Sequence, residues 1–307
     1  MSPLASLPQV KGSRAVIIVN PVSGRGSGRG RIEEIRRAAV RLGWQGRLIE
    51  TTAKRHAGII AKQLVSRGTR HIVVCGGDGS VMEALDAVCG TAVRLGIVPI
   101  GTGNIFALNL GLPNGLVAAL QVALNGQPAQ IDVGRANGTY FGVLAGIGWD
   151  AALIRDARRE LKDRLGLLAY FLAAIRNLEH PINRYRLRVD KQPVQEVRAK
   201  SIVVANMGLM QGHIQAIPKA RPDNGELTVA VVQADSLFSW VGLSASVLAG
   251  RLTDDPRIIL QQGRHIEIES LDGAQLIEAD GSILPESTML TVDVIPGGAT
   301  IMLRQPR

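Results

Sequence analysis

Residues 71–85, HIVVCGGDGSVMEAL, decide the fold of this chain. A short apolar run ends at Cys75 and leads directly into Gly76-Gly77-Asp78-Gly79, and an amphipathic run begins at Ser80. This order is typical of a buried β-strand, a glycine turn and an α-helix. We therefore expect a strand over 71–75 and a helix over 80–88.

The glycine turn has a composition that suits a phosphate group. Three glycines in four residues leave backbone N–H groups accessible, because no Cβ atom blocks the approach of a ligand. The helix N-terminus behind them adds unpaired donors and partial positive charge. Asp78 fits such a turn if its carboxylate holds a metal ion, accepts a proton or fixes the loop. The plain alternative is an ordinary strand–helix turn with an aspartate near the helix start.

Composition limits the class of protein. The chain has 307 residues, 46% hydrophobic and 20% charged, which allows a sizeable core and favours two domains. A net charge of +9 favours anionic partners such as nucleotides or acidic membranes. Aromatic residues make up only 3%, which argues against base stacking, so we expect no nucleic-acid partner.

The cysteines and the hydropathy pattern favour a cytoplasmic protein. Cys75 and Cys89 lack metal-ligand spacing and are expected to be structural thiols in a reducing compartment. The first residues do not have the layout of a secretory leader. We also find no run of about 18 apolar residues, the length that a membrane span needs.

The first part of the chain alternates between strand and helix patterns. We expect strands over 15–19, 46–51, 71–75 and 95–98, and helices over 31–42, 56–67 and 80–88. Alternation of this kind predicts a parallel sheet whose loops gather at the carboxyl ends of the strands. Three glycine-rich loops, over 20–30, 76–80 and 99–104, should therefore lie at one edge of the sheet.

After Gly126 the pattern changes and strand-like segments dominate. These segments are 130–135, 140–147, 184–189, 201–205, 227–233, 265–270, 275–278, 289–295 and 300–303, with helices predicted over 150–178 and 236–252. Such a pattern predicts an antiparallel sandwich. The expected fold class is α/β plus β: a Rossmann-like nucleotide-binding domain with a parallel sheet over 1–126, and an antiparallel β-sandwich domain over 127–307.

The first loop, NPVSGRGSGRGR over 20–31, does not match the common nucleotide motifs. It lacks the spacing and the Lys-Ser/Thr ending of a P-loop, and its glycines do not fit GxGxxG. The pattern therefore disfavours P-loop enzymes and dinucleotide oxidoreductases. A basic, solvent-facing loop is the plain alternative to a phosphate-binding one.

Three motifs together carry a family resemblance. NPVSG (20–24), GGDGS (76–80) and PIGTGNIFALNLGLP (99–113) resemble the diacylglycerol kinase catalytic-domain family, which includes bacterial lipid kinases and the sphingosine and ceramide kinases. TTAKRHA (51–57), GIGWDA (146–151) and EADG (278–281) extend the resemblance over nearly the whole chain. GGDG alone is shared with NAD kinases and phosphofructokinases, but the combination is specific.

The resemblance implies an ATP-dependent kinase that uses Mg²⁺, with a nucleotide cleft between a Rossmann-like domain and a sandwich that receives the lipid. Backbone donors and small hydroxyls suit phosphate oxygens, and a divalent ion offsets their charge. The residues that the resemblance assigns to the nucleotide are Asn20, Ser23, Gly24, Thr51, Gly76, Gly77, Asp78, Gly79, Ser80, Thr102, Gly103 and Asn104.

One departure from the family concerns the catalytic base. Bacterial members typically have Asp-Gly-Glu where this chain has Asp280-Gly281-Ser282, and that glutamate is the assigned base. A serine hydroxyl cannot replace it unless another base activates it. If 275–280 is extended, Glu278 and Asp280 share a face, and either of them, or Asp78, takes the role. A plain β-turn is the alternative for Asp280-Gly281.

A second departure lies in RPDNGE, over 221–226. Bacterial members often have Asp-Asp-Gly here, next to a structural magnesium site, and Asn224 stands where the second aspartate would be. An amide oxygen can bind Mg²⁺ but brings no negative charge. Asp223 and Asn224 are the candidate magnesium ligands, and a simple turn is the alternative.

The segment 150–178 suggests contact with a membrane. A basic run (Arg155, Arg158, Arg159, Lys162 and Arg164) precedes the apolar run 165–175. This combination predicts peripheral contact with an anionic membrane at its inner face, where a lipid could enter. A solvated helix face followed by a core helix is the alternative.

The leading hypothesis is an ATP-dependent lipid kinase that transfers the γ-phosphoryl group to a lipid hydroxyl. The acceptor is diacylglycerol-like or sphingoid-like, and the sequence does not choose between them. The alternatives are an NAD-kinase-like small-molecule kinase and a catalytically weak or silent nucleotide- or lipid-binding homologue, which Ser282 and Asn224 motivate. A homodimer through a sandwich edge is compatible with the pattern.

Overall fold

The structure is a computed structural model that describes residues 14–24, 28–148, 182–234, 236–248 and 252–304. It divides into two compact units, Met1–Gln130 with Ala299–Arg307, and Ile131–Gly298. The helix predicted over 150–178, with its basic run, lies outside the described residues. The domain boundary predicted at 126/127 stays a prediction, since the first compact unit ends at Gln130 and also takes in the last nine residues.

In the first unit, strands alternate with helices, as the sequence predicts. The elements are β1 (Val16–Val19), α1 (Arg29–Arg41), β2 (Leu48–Glu50), α2 (Ala57–Ser66), β3 (His71–Gly76), α3 (Asp78–Val88), β4 (Arg94–Pro99), α4 (Ile105–Asn109) and α5 (Leu116–Asn125). The sequence interpretation missed α4 and α5.

The strands of the first unit form a parallel sheet in the order β2-β1-β3-β4. Ile17 and Val19 pack with α1 and α5 on one face, while α2 and α3 pack against each other. The strand order reverses between β1 and β3. At such a reversal the loops leave in opposite directions, so a crevice opens at the carboxyl ends of these two strands.

The remaining strands and one helix follow in chain order. They are β5 (Gln127–Ala136), β6 (Thr139–Phe141), β7 (Leu144–Gly148), β8 (Asn183–Val189), β9 (Gln195–Ala199), β10 (Ser201–Ala205), β11 (Leu209–Met210), β12 (Ile214–Gln215), β13 (Leu227–Val232), α6 (Leu237–Leu248), β14 (Ile258–Gly263), β15 (His265–Ser270), β16 (Gln275–Ala279), β17 (Ser282–Ser287) and β18 (Met289–Leu303). The end of β18 belongs to the first unit, where Thr300 and Ile301 pair in parallel with β4.

The second unit is the predicted antiparallel sandwich. One sheet has the order β14-β13-β10-β7-β16-β17, and the other pairs β18, β15, β8 and β9 in turn. Both sheets contribute to one buried cluster, which includes Tyr185 and Ile266 from one sheet and Ile202, Val229 and Ile277 from the other. Alternating inward-facing residues on both sheets produce such a core.

Three predicted strand segments were wrong in their bounds. The segment 140–147 is two strands, β6 and β7, because the residues between them turn. The segments 289–295 and 300–303 are the single strand β18. Among the described residues, no helix is both long and apolar enough to cross a lipid bilayer.

Candidate functional site

Three loops meet at the carboxyl edge of the parallel sheet. The Asn20 side-chain amide, just after β1, donates a 2.9 Å hydrogen bond to the Ser80 hydroxyl in the first turn of α3. A Cβ atom added to Gly24 would clash with the carbonyl oxygen of Ile100, and one added to Gly101 would lie 2.5 Å from the Gly77 Cα. The loops after β1, β3 and β4 are therefore in direct contact, and glycine is needed where they touch.

The turn after β3 leaves space for a ligand. A Cβ atom added to Gly79 would meet nothing within 4 Å. Among the described residues, no side chain caps the N-terminus of α3, which follows Gly77, or that of α1, which follows Gly28. The first turn of a helix has N–H groups without intrahelical partners, and anions bind to such groups. The arrangement thus offers backbone donors beside an unobstructed surface.

Asp78 is tied to the start of α4. Its carboxylate accepts a 3.2 Å hydrogen bond from the Phe106 backbone N–H. Burial raises the pKa of Asp78, and the backbone N–H groups of Phe106, Asn104 and Ile105 act in the opposite direction. Of the three roles that the sequence allowed, these contacts support the one in which the carboxylate fixes the loop.

Asn104 closes the loop after β4. Its side-chain oxygen accepts the Gly101 N–H at 3.0 Å, and its side-chain nitrogen donates to the Gly101 carbonyl oxygen at 2.7 Å. Its backbone is left-handed, with φ 51°, which asparagine tolerates better than most residues. Both polar side-chain atoms therefore hold the loop that carries Thr102 and Gly103, and Thr102 is exposed on it.

The other predicted nucleotide residues lie around the same edge. Thr51 follows β2, is buried, and donates its backbone N–H to the Val19 carbonyl oxygen at 2.9 Å. Ser23 donates its backbone N–H to the Asn20 carbonyl oxygen at 3.3 Å. The structure thus brings the predicted residues of the first unit together at one edge, and their contacts with a nucleotide stay predictions.

Asp280 lies in a tight hairpin turn in the second unit. Asp280 and Gly281 have φ values of 46° and 82°, and Ala279 pairs with Ser282 across them, as in a type I′ turn. The expectation that 275–280 is extended was therefore wrong at Asp280. Two residues in a row with positive φ reverse the chain there.

The Asp280 carboxylate organises the turn between β6 and β7. Its two oxygens accept the backbone N–H groups of Gly142 (2.6 Å), Val143 (3.0 Å) and Leu144 (3.0 Å). Glu278, on β16, is fully buried and accepts the Gly281 N–H at 2.8 Å. Both carboxylates hold backbone at one end of this hairpin, and their predicted catalytic roles stay predictions.

The candidate magnesium ligands have protein partners. The Asp223 carboxylate accepts two hydrogen bonds from the Arg221 guanidinium, at 3.0 and 2.9 Å. The Asn224 side-chain oxygen accepts the Glu226 N–H at 3.1 Å. Within the part of the chain that the structure describes, no group of three His, Cys, Asp or Glu side chains could hold a metal ion. Magnesium binding by Asp223 and Asn224 therefore stays a prediction.

Sequence analysis missed two buried polar residues, Asp132 and Asn206, that lie next to the RPDNG turn. Asp132 is 6% exposed, and its carboxylate accepts the N–H groups of Gly225 (2.7 Å) and Gly297 (2.9 Å). The Asn206 side chain donates to the carbonyl oxygens of Asp132 (2.9 Å) and Gly142 (2.8 Å). The available signal was a lone carboxylate in the apolar run around Ile131 and Val133. This pair connects the RPDNG turn to the turn that Asp280 holds.

Comparison with known proteins identifies the family. Residues 14–136 match the diacylglycerol kinase catalytic domain, and residues 143–303 match the YegS C-terminal NAD kinase beta sandwich-like domain. The chain belongs to the diacylglycerol kinase catalytic-domain family. The matched family is the one that the three loop motifs resemble.

Two relatives of similar length are named diacylglycerol kinases. A diacylglycerol kinase of Staphylococcus carnosus (strain TM300) is 27% identical over 265 residues, which cover 84% of this chain and 85% of the relative. A diacylglycerol kinase of Bacillus subtilis (strain 168) is 28% identical over 269 residues, which cover 86% of this chain and 88% of the relative.

Solved structures share the fold. A crystal structure described as a diacylglycerol kinase of Bacillus anthracis (strain Sterne) has a TM-score of 0.72 at 22% identity and covers 95% of this chain and 97% of its own. An NAD kinase from Archaeoglobus fulgidus in complex with ATP has a TM-score of 0.54 at 13% identity, covering 95% of this chain and 94% of its own. At these identities the likeness concerns the fold alone.

Proposed function

We propose that the chain is an ATP-dependent lipid kinase that transfers the γ-phosphoryl group to a lipid hydroxyl. The observation that carries the proposal is the contact between the loops after β1, β3 and β4, in a chain of a kinase family. These loops lie where ligands of open α/β sheets bind. The lipid acceptor and peripheral contact with an anionic membrane are part of the proposal.

The residues at this edge fit a nucleotide polyphosphate. Backbone N–H groups at the uncapped starts of α1 and α3 can donate to phosphate oxygens, and the Thr102 hydroxyl is exposed beside them. The open side of Gly79 lets a phosphate approach without a side chain in the way. A bound Mg²⁺ would offset the negative charge of the phosphates.

In the proposed reaction, the lipid hydroxyl oxygen forms a bond to the γ-phosphorus as the bond to the β–γ bridging oxygen breaks. The hydroxyl proton passes to a base. Phosphoryl transfer of this type depends mostly on positioning and charge stabilisation. The chain's contribution is structural: Asp78 and Asn104 hold the loop after β4, and Asp280 holds the turn before β7.

The test offers the purified chain labelled ATP, Mg²⁺ and, in separate reactions, a total lipid extract and NAD. A labelled lipid product that ordinary lipid analysis identifies as a phosphorylated alcohol is the expected result. Label in NADP with none in lipid would contradict the proposal and favour an NAD-kinase-like enzyme.

A catalytically silent homologue is the second candidate. The Asp280 carboxylate accepts three backbone N–H groups, and Ser282 is exposed where bacterial relatives have the assigned base. This candidate function predicts that the unmodified chain binds ATP without turnover. It also predicts that the Ser282→Glu variant phosphorylates lipid and that the unmodified chain does not. Lipid kinase activity in the unmodified chain would rule it out.

A further inference from the structure

A basic cavity lies at the amino ends of the parallel strands, away from the three glycine loops. Its volume is about 570 Å³. Its cationic lining consists of Arg14 before β1, Arg67 at the end of α2, Arg70 before β3 and Arg94 at the start of β4. A strand of six residues such as β3 spans about 20 Å, so the cavity and the glycine loops are well separated.

The positive charge of this cavity has little compensation nearby. Among the described residues that line it, none is acidic. Among the described residues, the ion pairs of arginine with Asp or Glu involve other arginines (Arg31, Arg36, Arg135, Arg184, Arg186, Arg188, Arg221 and Arg257). Four guanidinium groups around one concavity repel each other, and their field attracts a counter-anion.

Helix dipoles do not account for the four arginines. The helices α2 and α5 end at the cavity, and a helix C-terminus supplies about half an elementary negative charge. Two such ends offset about one of the four positive charges. The α5 carbonyl of Ala123 lies 2.9 Å from the His71 ring nitrogen Nε2, and the described guanidinium groups of the cavity do not bond to it.

The chain's own first residues cannot neutralise the cavity, because residues 1–13 contain Lys11 and no Asp or Glu. The basic region also continues sideways. A second cavity of about 360 Å³ shares Arg67 and adds Arg47 and Arg55, and Glu50 is the one acidic residue among its described lining. The two cavities together are lined by six arginines.

We propose that the cavity lined by Arg14, Arg67, Arg70 and Arg94 binds a phosphate-bearing anion at a site separate from the nucleotide loops. Guanidinium groups form forked hydrogen bonds that match phosphate oxygens, so a phosphate ester is the chemistry that this lining recognises. A volume of about 570 Å³ admits a small phosphorylated molecule or the head group of an acidic lipid. The site does not depend on the chain being a kinase.

His71 reports on this cavity directly. It lines the cavity, and burial and the Arg94 charge lower its pKa. An anion bound between the arginines opposes the Arg94 charge and stabilises the protonated imidazole, so the His71 pKa should rise. The test titrates the imidazole by NMR, assigns it with His71→Gln, and compares buffer with added glycerol 3-phosphate or inorganic phosphate.

The variants separate this site from the nucleotide loops. The added phosphate ester should raise the His71 pKa, because an anion near the imidazole stabilises its protonated form. Arg70→Gln/Arg94→Gln should weaken the affinity for the ester, so that about tenfold more ester is needed for half of the His71 response. Arg14→Gln/Arg67→Gln, a second pair, should weaken it as well. The control Arg37→Gln/Arg198→Gln removes the same charge from exposed positions outside the cavity. Gly79→Ala, which places a methyl group in the glycine turn, should respond like the wild type.

Sedimentation with lipid vesicles tests whether the phosphate comes from a lipid head group or from a soluble molecule. Phosphatidylcholine vesicles with phosphatidic acid should sediment the wild type more than Arg70→Gln/Arg94→Gln if the head group is the ligand. If only the soluble ester acts, both proteins sediment alike and the His71 response remains. A His71 pKa that neither soluble anion changes, together with sedimentation that the double variant does not reduce, would overturn the proposal.

Discussion

The Asn20 side-chain amide donates a 2.9 Å hydrogen bond to the Ser80 hydroxyl, which joins the loop after β1 to the first turn of α3 across 60 residues of sequence. Ser80 is 9% exposed, so water does not readily replace the bond. This contact, together with the Gly24–Ile100 and Gly77–Gly101 approaches, holds three loops at one edge of the sheet.

Removal of this bond should loosen the loops. We expect Ser80→Ala to lower the free energy of unfolding by about 1 kcal/mol, because the Asn20 amide loses its partner at a partly buried position. The measurement is urea unfolding. The control is Ser66→Ala, whose exposed hydroxyl donates to the Gln63 carbonyl oxygen at 3.0 Å and should cost less. Equal losses would contradict the role of the Asn20–Ser80 bond.

Substitutions at Asp78 distinguish a loop-fixing carboxylate from a catalytic one. Asn at this position keeps an oxygen for the Phe106 N–H, whereas Ala does not. We expect Asp78→Ala to lose about 1 kcal/mol of stability, as for loss of a helix cap, and Asp78→Asn to keep most of it and most of the phosphoryl transfer. If Asp78→Asn is as stable as the wild type but inactive, the carboxylate is catalytic and this account of it is wrong.

The raised pKa of Asp78 gives this variant a pH signature. The folded state binds the proton more tightly than the unfolded state, because burial raises the pKa. The resulting stability is present below the unfolded pKa and is lost as the pH rises through the folded pKa. The difference in unfolding free energy between wild type and Asp78→Asn should therefore shift in favour of the wild type on acidification, as followed by urea unfolding across the acidic range.

The Asp280 carboxylate should be a structural clamp on the turn between β6 and β7. Asp280→Gly keeps the left-handed backbone but removes the acceptor of three N–H groups, so we expect a loss of about 2–3 kcal/mol. Asp280→Asn keeps one acceptor oxygen and should lose less. Thermal unfolding, monitored by circular dichroism, gives the order of stability of the three proteins. An Asp280→Gly variant as stable as Asp280→Asn would contradict this role of the carboxylate.

Asp132 offers a parallel test beneath the RPDNG turn. Asp132→Ala leaves the Gly225 and Gly297 N–H groups without their acceptor in a buried place, which should cost about 2–4 kcal/mol. The matched control is Asp223→Ala, which removes an exposed ion pair with Arg221 and should cost less than about 1 kcal/mol. Urea unfolding gives the free energy of unfolding of both variants. A larger loss in Asp223→Ala than in Asp132→Ala would contradict the structural role of Asp132.

His265 should make a small part of the stability depend on pH. Its ring lies 2.7 Å from the Asp293 carboxylate, and the hydrogen bond to Asp293 raises the pKa of His265. The stability that this provides is present below the unfolded pKa and is lost as the pH rises through the folded pKa. Relative to His265→Gln, wild type should therefore lose up to about 1 kcal/mol as the pH rises above the ordinary histidine pKa of about 6.5. Parallel pH profiles of the two proteins would contradict this.

Local patterns predicted the first unit well. The strand–turn–helix reading of residues 71–88 is correct because the apolar run, the glycines and the amphipathic run are all local signals. α4 has five residues, too few for helical periodicity to show. Five strands were missed. β9, β14 and β17 are at sheet edges, where one side of the strand has no neighbour, and β11 and β12 have two residues each, too few for an alternating pattern.

Local sequence patterns did not predict the long-range contacts. The motifs placed Asn104 in the correct loop, whereas Asp280 lies in the β-turn that was only the alternative for it, and the partners of both residues are set by three-dimensional packing. Asp280 binds backbone more than 130 residues away, at Gly142 and Val143. Asp132 was missed for the same reason, since its partner Gly297 is 165 residues away. Local patterns show where a carboxylate lies in sequence, but not which N–H groups it will meet.

The most direct test of the central claim is the ATP affinity of Gly79→Ala, measured by calorimetry beside Gly115→Ala. A Cβ atom at either position meets nothing within 4 Å, so both variants should fold, and only Gly79 lies in the glycine turn after β3. The account predicts that Gly79→Ala binds ATP at least about tenfold more weakly than wild type, while Gly115→Ala binds like wild type. Wild-type ATP affinity in a folded Gly79→Ala would contradict it.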